Sequence, residues 1–198
     1  MSATPVVPPR PAVLADLIAR TRAHDAGLVL GAALFTALLS QLAVSVPGSP
    51  VPITGQTLAV VLTAAALGPR RGVLGQVLYV LLGAVGLPFY SRAASGFAHV
   101  LGPTGGFLVG FIPAAFLVGL AARRGLDRHP VKALGLFIAG QLVIFAVGVP
   151  WLAGVAGLDA ATALRKGFLP FIPGALLKAA IAAALMSLGW RLGRSREA

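Results

Sequence analysis

The 198-residue sequence contains no cysteine. Disulfides, thiolate metal sites and cysteine nucleophiles are therefore excluded. Charge is scarce as well: 11% of the residues are charged, against about 25% in an ordinary soluble domain. Only five residues are acidic, and none lies within a long apolar run. Paired carboxylates inside those runs are thus ruled out. The three histidines, His24, His99 and His129, are scattered and form no ligand cluster, so no metal site is expected. Ser/His/Asp groupings, HExxH and the phosphate-binding GxxxxGK[ST] loop are all missing, which argues against an enzyme.

What is present is apolar. Aliphatic and aromatic residues make up 58% of the chain, and the mean hydropathy is +0.92. Both place it among membrane proteins. Six segments suit a bilayer crossing, roughly 27–46, 55–68, 72–87, 105–122, 133–152 and 171–190. About 20 helical residues span a hydrocarbon core of about 30 Å. The second segment is too short for that and should leave a hollow at one surface, covered by its neighbours. An all-α bundle of six transmembrane helices over residues 27–190 is expected, with an N-terminal segment 1–26 and a basic tail 191–198. The start, mixing prolines, arginines and aspartates, does not read as a cleavable signal peptide.

The net charge of +11 lies between the apolar segments and forms no continuous basic stripe, so nucleic acid is not an expected partner. Twelve of the 16 Lys and Arg residues fall on one side: Arg10, Arg20, Arg22, Arg70, Arg71, Arg123, Arg124, Arg128, Lys132, Arg191, Arg194 and Arg196. Three, Arg92, Arg165 and Lys166, fall on the other. That bias predicts cytoplasmic termini and a multi-pass protein of the bacterial plasma membrane, in contact with lipid. Trp151 and Trp190 read as interfacial belt anchors.

The connections on the sparsely charged side carry more information. "VPGSPVPITGQ" (46–56) holds three prolines in eleven residues and cannot be a continuous helix. "GLPFYSRAASGFAHVLGPTGG" (86–106) is long and apolar for a loop, as a segment covering a site would be. Lys178 lies inside the last apolar segment, about 10 Å of helix rise past Phe171. Either its stem snorkels to the interface, or its ammonium faces the bundle interior and meets a bound group. The second is favoured, because charges inside membrane spans commonly mark substrate paths. Gln41, Thr54, Gln56, Tyr79, Tyr90, Arg92 and Gln141 lie at similar depth. With Lys178 they would offer amides, phenols and two cations around an apolar wall, a surface suited to a small ligand with a carboxylate and a neutral polar head. Ala33 and Ala37 form an A-x-x-x-A pair of the kind that lets another helix approach closely.

"VPITGQTLAVVLTAAALGPRRG" (51–72), "YVLLGAVGLPFY" (79–90), "LGPTGGFLVGF" (101–111) and "FIPGALLKA" (171–179) together resemble the BioY family, the biotin-specific substrate-binding S components of energy-coupling factor (ECF) transporters. The resemblance implies a six-helix S component that captures biotin with high affinity and mediates its uptake. Its partners would be a transmembrane coupling subunit and two cytoplasmic ATPases. No cofactor is implied, since biotin is the transported substrate. On this resemblance Lys178 sits at the head-group end of the pocket, Arg92 is the candidate for the carboxylate, Gln56 and Tyr79 lie near the pocket, and Ala33 and Ala37 dock the coupling subunit. One position departs from the family: Ala175 stands where an aspartate is usual. Gln141 is the candidate replacement acceptor; a different vitamin as substrate stays open, as does a membrane scaffold without a small ligand.

Overall fold

The computed structural model describes residues 12–17 and 21–194. Arg10, Arg20 and Arg196, counted above for topology, lie outside the described residues. So do most of the N-terminal segment and the end of the basic tail.

Helix α1 (Arg22–Ser40) begins at Thr21, whose hydroxyl accepts from the His24 N–H as an N-cap. Two short antiparallel strands follow, β1 (Ala43–Val44) and β2 (Ile53–Thr54), with Ala43 opposite Thr54. They close the proline-rich connection expected to be non-helical. Next come α2 (Gln56–Ala84), a short α3 (Phe97–Leu101), α4 (Gly105–Arg123), α5 (Pro130–Ala156), a short α6 (Ala160–Gly167) and α7 (Ile172–Arg194). Among the described residues, five helical stretches are long and apolar enough to cross a membrane: Arg22–Ser40, Gln56–Ala84, Gly105–Arg123, Pro130–Ala156 and Ala160–Gly193.

Helix α2 is two arms, and it reverses at Gly68. Gln56 donates to the hydroxyl of Tyr79, 23 residues on, although a continuous helix would put them about 35 Å apart. Gln76 likewise reaches Thr63 across the fold-back. The reversal needs Gly68, whose φ of 81° and ψ of 176° suit only glycine. Pro69 then opens the second arm, where its missing N–H costs nothing. A Cβ on Gly72 would lie 2.9 Å from the Ala64 Cα, so the arms nearly touch. Gly119 of α4 makes the same room for the turn, since a Cβ there would lie 2.6 Å from the Pro69 nitrogen.

Small residues make the other helix contacts as well. Gly75 faces Ala32 of α1, and Gly110 of α4 faces the Ile144 backbone of α5. Such close approaches replace hydrophobic expulsion as the source of cohesion in lipid. Polar links join α1 to the second arm of α2, and that arm to the first: buried Gln76 donates to Thr36 and Thr63.

The basic connections gather at one end. Arg71 pairs with Asp16 at 3.2 Å and Asp25 at 2.8 Å, Arg128 donates to the Ala12 carbonyl, and Gly68 lies against Val13 and Arg123. Trp190 does not face lipid as a belt residue would. It is buried, donates to Asp127 at 2.7 Å and lies under the Arg128 guanidinium. Trp151 corrects the same expectation at the other end: it donates to the Gly102 carbonyl and packs against Gly106, closing the 86–106 segment onto α5.

Candidate functional site

At the end opposite the basic connections, a narrow cleft enclosing about 40 Å³ lies beneath the 86–106 segment. Its walls are apolar and aromatic, built from Val51, Pro52, Phe107, Leu108, Phe111, Phe145 and Phe171. Phe145 meets Phe107, Phe168 and Phe171 edge-on, at centroid distances of 6.2, 5.1 and 6.0 Å. Gly148 lets the Phe107 ring lie flat against α5, since a Cβ there would overlap it.

Polar groups enter from two sides. On one, Lys178 of α7 donates from Nζ to the Thr54 carbonyl at 2.9 Å. The Thr54 hydroxyl donates to Gln56 Oε1 at 2.9 Å, and Gln56 Nε2 donates to the Tyr79 hydroxyl at 2.6 Å. Strand β2 and the first turn of α2 thus hold the ammonium in place through one continuous chain of bonds. No carboxylate lines the cleft among the described residues. On the other side, the loop segment contributes Ser91, His99 and Thr104.

The structure brings Lys178, Thr54 and Gln56 together in the cleft wall. Tyr79 stands directly behind Gln56, fully buried, and its hydroxyl donates to the Phe89 carbonyl. Gln141 stands behind the wall too: its Oε1 accepts from Thr57, and its Nε2 donates to the Ala175 carbonyl at 2.6 Å. Both ends of that amide are already engaged, which ties α5 to α2 and α7. Gln41, at the end of α1, holds the loop: its Nε2 donates to the Tyr90 carbonyl, and its Oε1 accepts from the Ala93 N–H. Arg92 is exposed, is absent from the cleft lining and donates to the Ser45 hydroxyl. Ala33 and Ala37 are buried inside the chain, 0% and 7% exposed. The expected docking of a partner on that pair is corrected, since the chain's own core covers it.

The loop is seated by Tyr90, which is fully buried although it lies in a connection. Its hydroxyl donates to the Val80 carbonyl at 2.6 Å, and its ring stacks on His99 at 5.0 Å and meets Tyr79 edge-on at 5.9 Å. Burial pushes its hydroxyl up to about 12, so it remains a neutral donor. Gly83 gives the ring its place, and the Gly83 carbonyl accepts from the Gly96 N–H at 2.8 Å. Arg92 and Ala93 take left-handed φ of 60° and 56° to turn the loop back.

Several lining residues escaped the sequence reading. Ser91, His99, Thr104 and the four phenylalanines have no pattern of their own, because the fold gathers them from separate segments. The one usable signal was "LGPTGGF", which places Thr104 where the loop enters α4.

An apolar helical bundle with an aromatic cleft, a half-buried ammonium and a loop seated over them is a small-molecule binder of the membrane. The BioY family's sequence profile matches residues 13–195, and the chain belongs to that family. It is 42% identical over 164 residues to "Probable biotin transporter BioY" of Pyrococcus horikoshii, covering 81% of this chain and 93% of that one. It is 40% identical over 164 residues to "Biotin transporter BioY" of Rhizobium etli, with 77% and 87% covered. Among solved structures, the S component for biotin from an ECF-type ABC transporter superposes with a TM-score of 0.78, covering 91% of this chain and 96% of that one at 24% identity.

Proposed function

We propose that this chain captures biotin and mediates its uptake across the cell membrane, as the substrate-specific S component of an ECF-type ABC transporter. The observation that carries the reading is the cleft itself. In a chain of the BioY family, Lys178 presents a half-buried ammonium beside Thr54 and Gln56, facing aromatic walls. Biotin has a ureido head that both donates and accepts, an apolar ring and an anionic tail. Amide, carbonyl and ammonium groups set side by side suit the head, and the phenylalanines suit the ring.

In this reading the two arms of α2 are separate crossings, which makes six. The end rich in arginine faces the cytoplasm and the cleft opens outward. ATP hydrolysis then comes from two partner ATPases through a transmembrane coupling subunit. Lys178, Gln56 and Thr54 contact the ligand, while Tyr79 and Gln141 position them from behind.

Biotin titration of the full chain in lipid nanodiscs tests this, together with Lys178→Ala. A hydrogen bond to a charged group contributes about 1.5–3 kcal/mol, so the variant should bind biotin roughly ten- to hundredfold more weakly. Absence of biotin binding by the wild type, or equal binding by the variant, would remove the assignment.

A further inference from the structure

Two cationic side chains border the cleft among the described residues. Among the described residues that line it, Lys178 and His99 alone can carry positive charge. Lys178 donates to the Thr54 carbonyl, and Thr54 and Gln56 line the cleft with it. His99 has different neighbours. Its Nε2 lies 3.1 Å from the Thr104 hydroxyl, and Ser91 lines the cleft on the same side. Two hydroxyls and an imidazole can all donate at once, which is what a carboxylate requires. Thr104 is also the N-cap residue of the 19-residue α4, so the positive end of that helix dipole lies on this side and favours an anion. Arg92, the other cation of the loop, is turned to Ser45 outside the cleft.

We infer that His99, with Ser91 and Thr104 at the start of α4, binds the ligand's carboxylate as an imidazolium, so that capture tightens as the pH falls. The inference rests on the biotin reading above. It assigns the two ends of the ligand to two sides of the cleft: neutral head toward Lys178 and Gln56, anionic tail toward the loop.

Few other charges surround His99. Tyr90 stacks on it as a neutral phenol, and Lys178 of α7 also lines the cleft. From α2 comes Tyr79, whose hydroxyl is engaged with Gln56 and Phe89. Helix α4 brings no titratable side chain except Arg123 at its far end. Burial holds the free imidazole below the ordinary histidine value of 6.5, and a bound carboxylate raises it. The extra affinity is therefore complete below the free-state pKa and is lost as the pH climbs through the bound-state pKa.

The test compares biotin with biotin amide, which keeps the head and ring but lacks the charge. Full-length protein in nanodiscs is titrated from pH 5.5 to pH 8, as wild type, His99→Gln and His99→Phe. The first variant keeps a partner for Thr104, and the second keeps the stack on Tyr90. Wild-type affinity for biotin should tighten about tenfold toward pH 5.5, in line with a hydrogen bond to a charged group, while the amide shows no pH dependence. Both variants should flatten the biotin profile and lose the preference for biotin over its amide.

A merely structural histidine would weaken both ligands equally and leave the pH profile unchanged, and that result overturns the inference while biotin capture stands. So does an Arg92→Ala variant that alone abolishes the preference for the free acid. Failure of the wild type to bind biotin at any pH would overturn capture and inference together.

Discussion

The seat of the loop can be broken with one methyl group. A Cβ on Gly83 would overlap the Tyr90 ring at Cε1 and Cζ and come within 2.9 Å of Cδ1. The ring has nowhere to go. It is fully buried, bound through its hydroxyl to Val80 and packed on both Tyr79 and His99. Overpacking of this kind costs about 1–3 kcal/mol. Expelling the ring instead forfeits a buried hydrogen bond, about 1 kcal/mol, and two aromatic contacts at about 0.5–1.5 kcal/mol each. Either route raises the energy of the seated loop by about 2–3 kcal/mol. Because Ser91 and His99 enter the cleft from that loop, Gly83→Ala should weaken biotin binding by roughly thirty- to a hundredfold. The crossings themselves should stay folded. Gly31→Ala is the control, since a Cβ there meets nothing within 4 Å. Biotin titration and thermal unfolding in nanodiscs read both effects. If Gly83→Ala binds biotin as the wild type does, the ring is not what holds the loop, and the reasoning fails.

Other substitutions probe separate parts of the structure. Gln141→Leu strands the Thr57 hydroxyl and the Ala175 carbonyl; it should lower thermal stability by about 2–4 kcal/mol, one desolvation penalty per orphan, with less effect on biotin affinity than Lys178→Ala. At Ala93, φ of 56° disfavours any side chain, so stability in a thermal ramp should rank Gly at or above Ala, and Val lowest by more than about 1 kcal/mol. Burial pushes the Asp127 carboxyl up from its usual value of 3.8, so the folded chain holds that proton more tightly than the unfolded one. Stability should therefore gain as the pH falls through the folded-state pKa, the gain being complete below 3.8. Asp127→Asn should remove this part of the pH dependence in melts between pH 7 and pH 4 while still facing the Trp190 N–H.

Composition and apolar run length made the membrane bundle legible, because twenty apolar residues have few other uses. The reversal at Gly68 was legible too, as "LGPRRG" breaks the apolar pattern with glycine, proline and paired charges. Local pattern could not tell which face of a helix turns inward. Ala33 and Ala37 have the spacing of a docking pair, yet that spacing serves equally for packing against the chain's own α2, and they are buried there. The tryptophans misled for a related reason. An indole N–H near a helix end can meet the lipid interface or a nearby acceptor, and here Asp127 and the Gly102 carbonyl lie within reach. Lys178 was conspicuous as the single charge in its span. His99 was not, because a histidine in a loop is unremarkable until the fold sets it in a cleft.

The bonds around the cleft also fix how its two sides depend on each other. Lys178 holds Thr54, Thr54 holds Gln56, Gln56 holds Tyr79, and the Tyr79 hydroxyl donates to the Phe89 carbonyl one residue before Tyr90. The head-group side is thus joined to the base of the loop by four consecutive hydrogen bonds, three of them involving side chains on both ends or a charged donor. A ligand that takes the Lys178 ammonium or the Gln56 amide as its own partner must draw on this chain. The loop is anchored a second time from outside, by Gln41 on Tyr90 and Ala93, so loosening the inner chain does not free it. That double attachment separates two effects in one experiment. Gln56→Leu cuts the inner chain and should weaken biotin binding without loosening the loop, whereas Gln41→Leu should raise amide hydrogen exchange across residues 90–96 first, with affinity falling as a consequence.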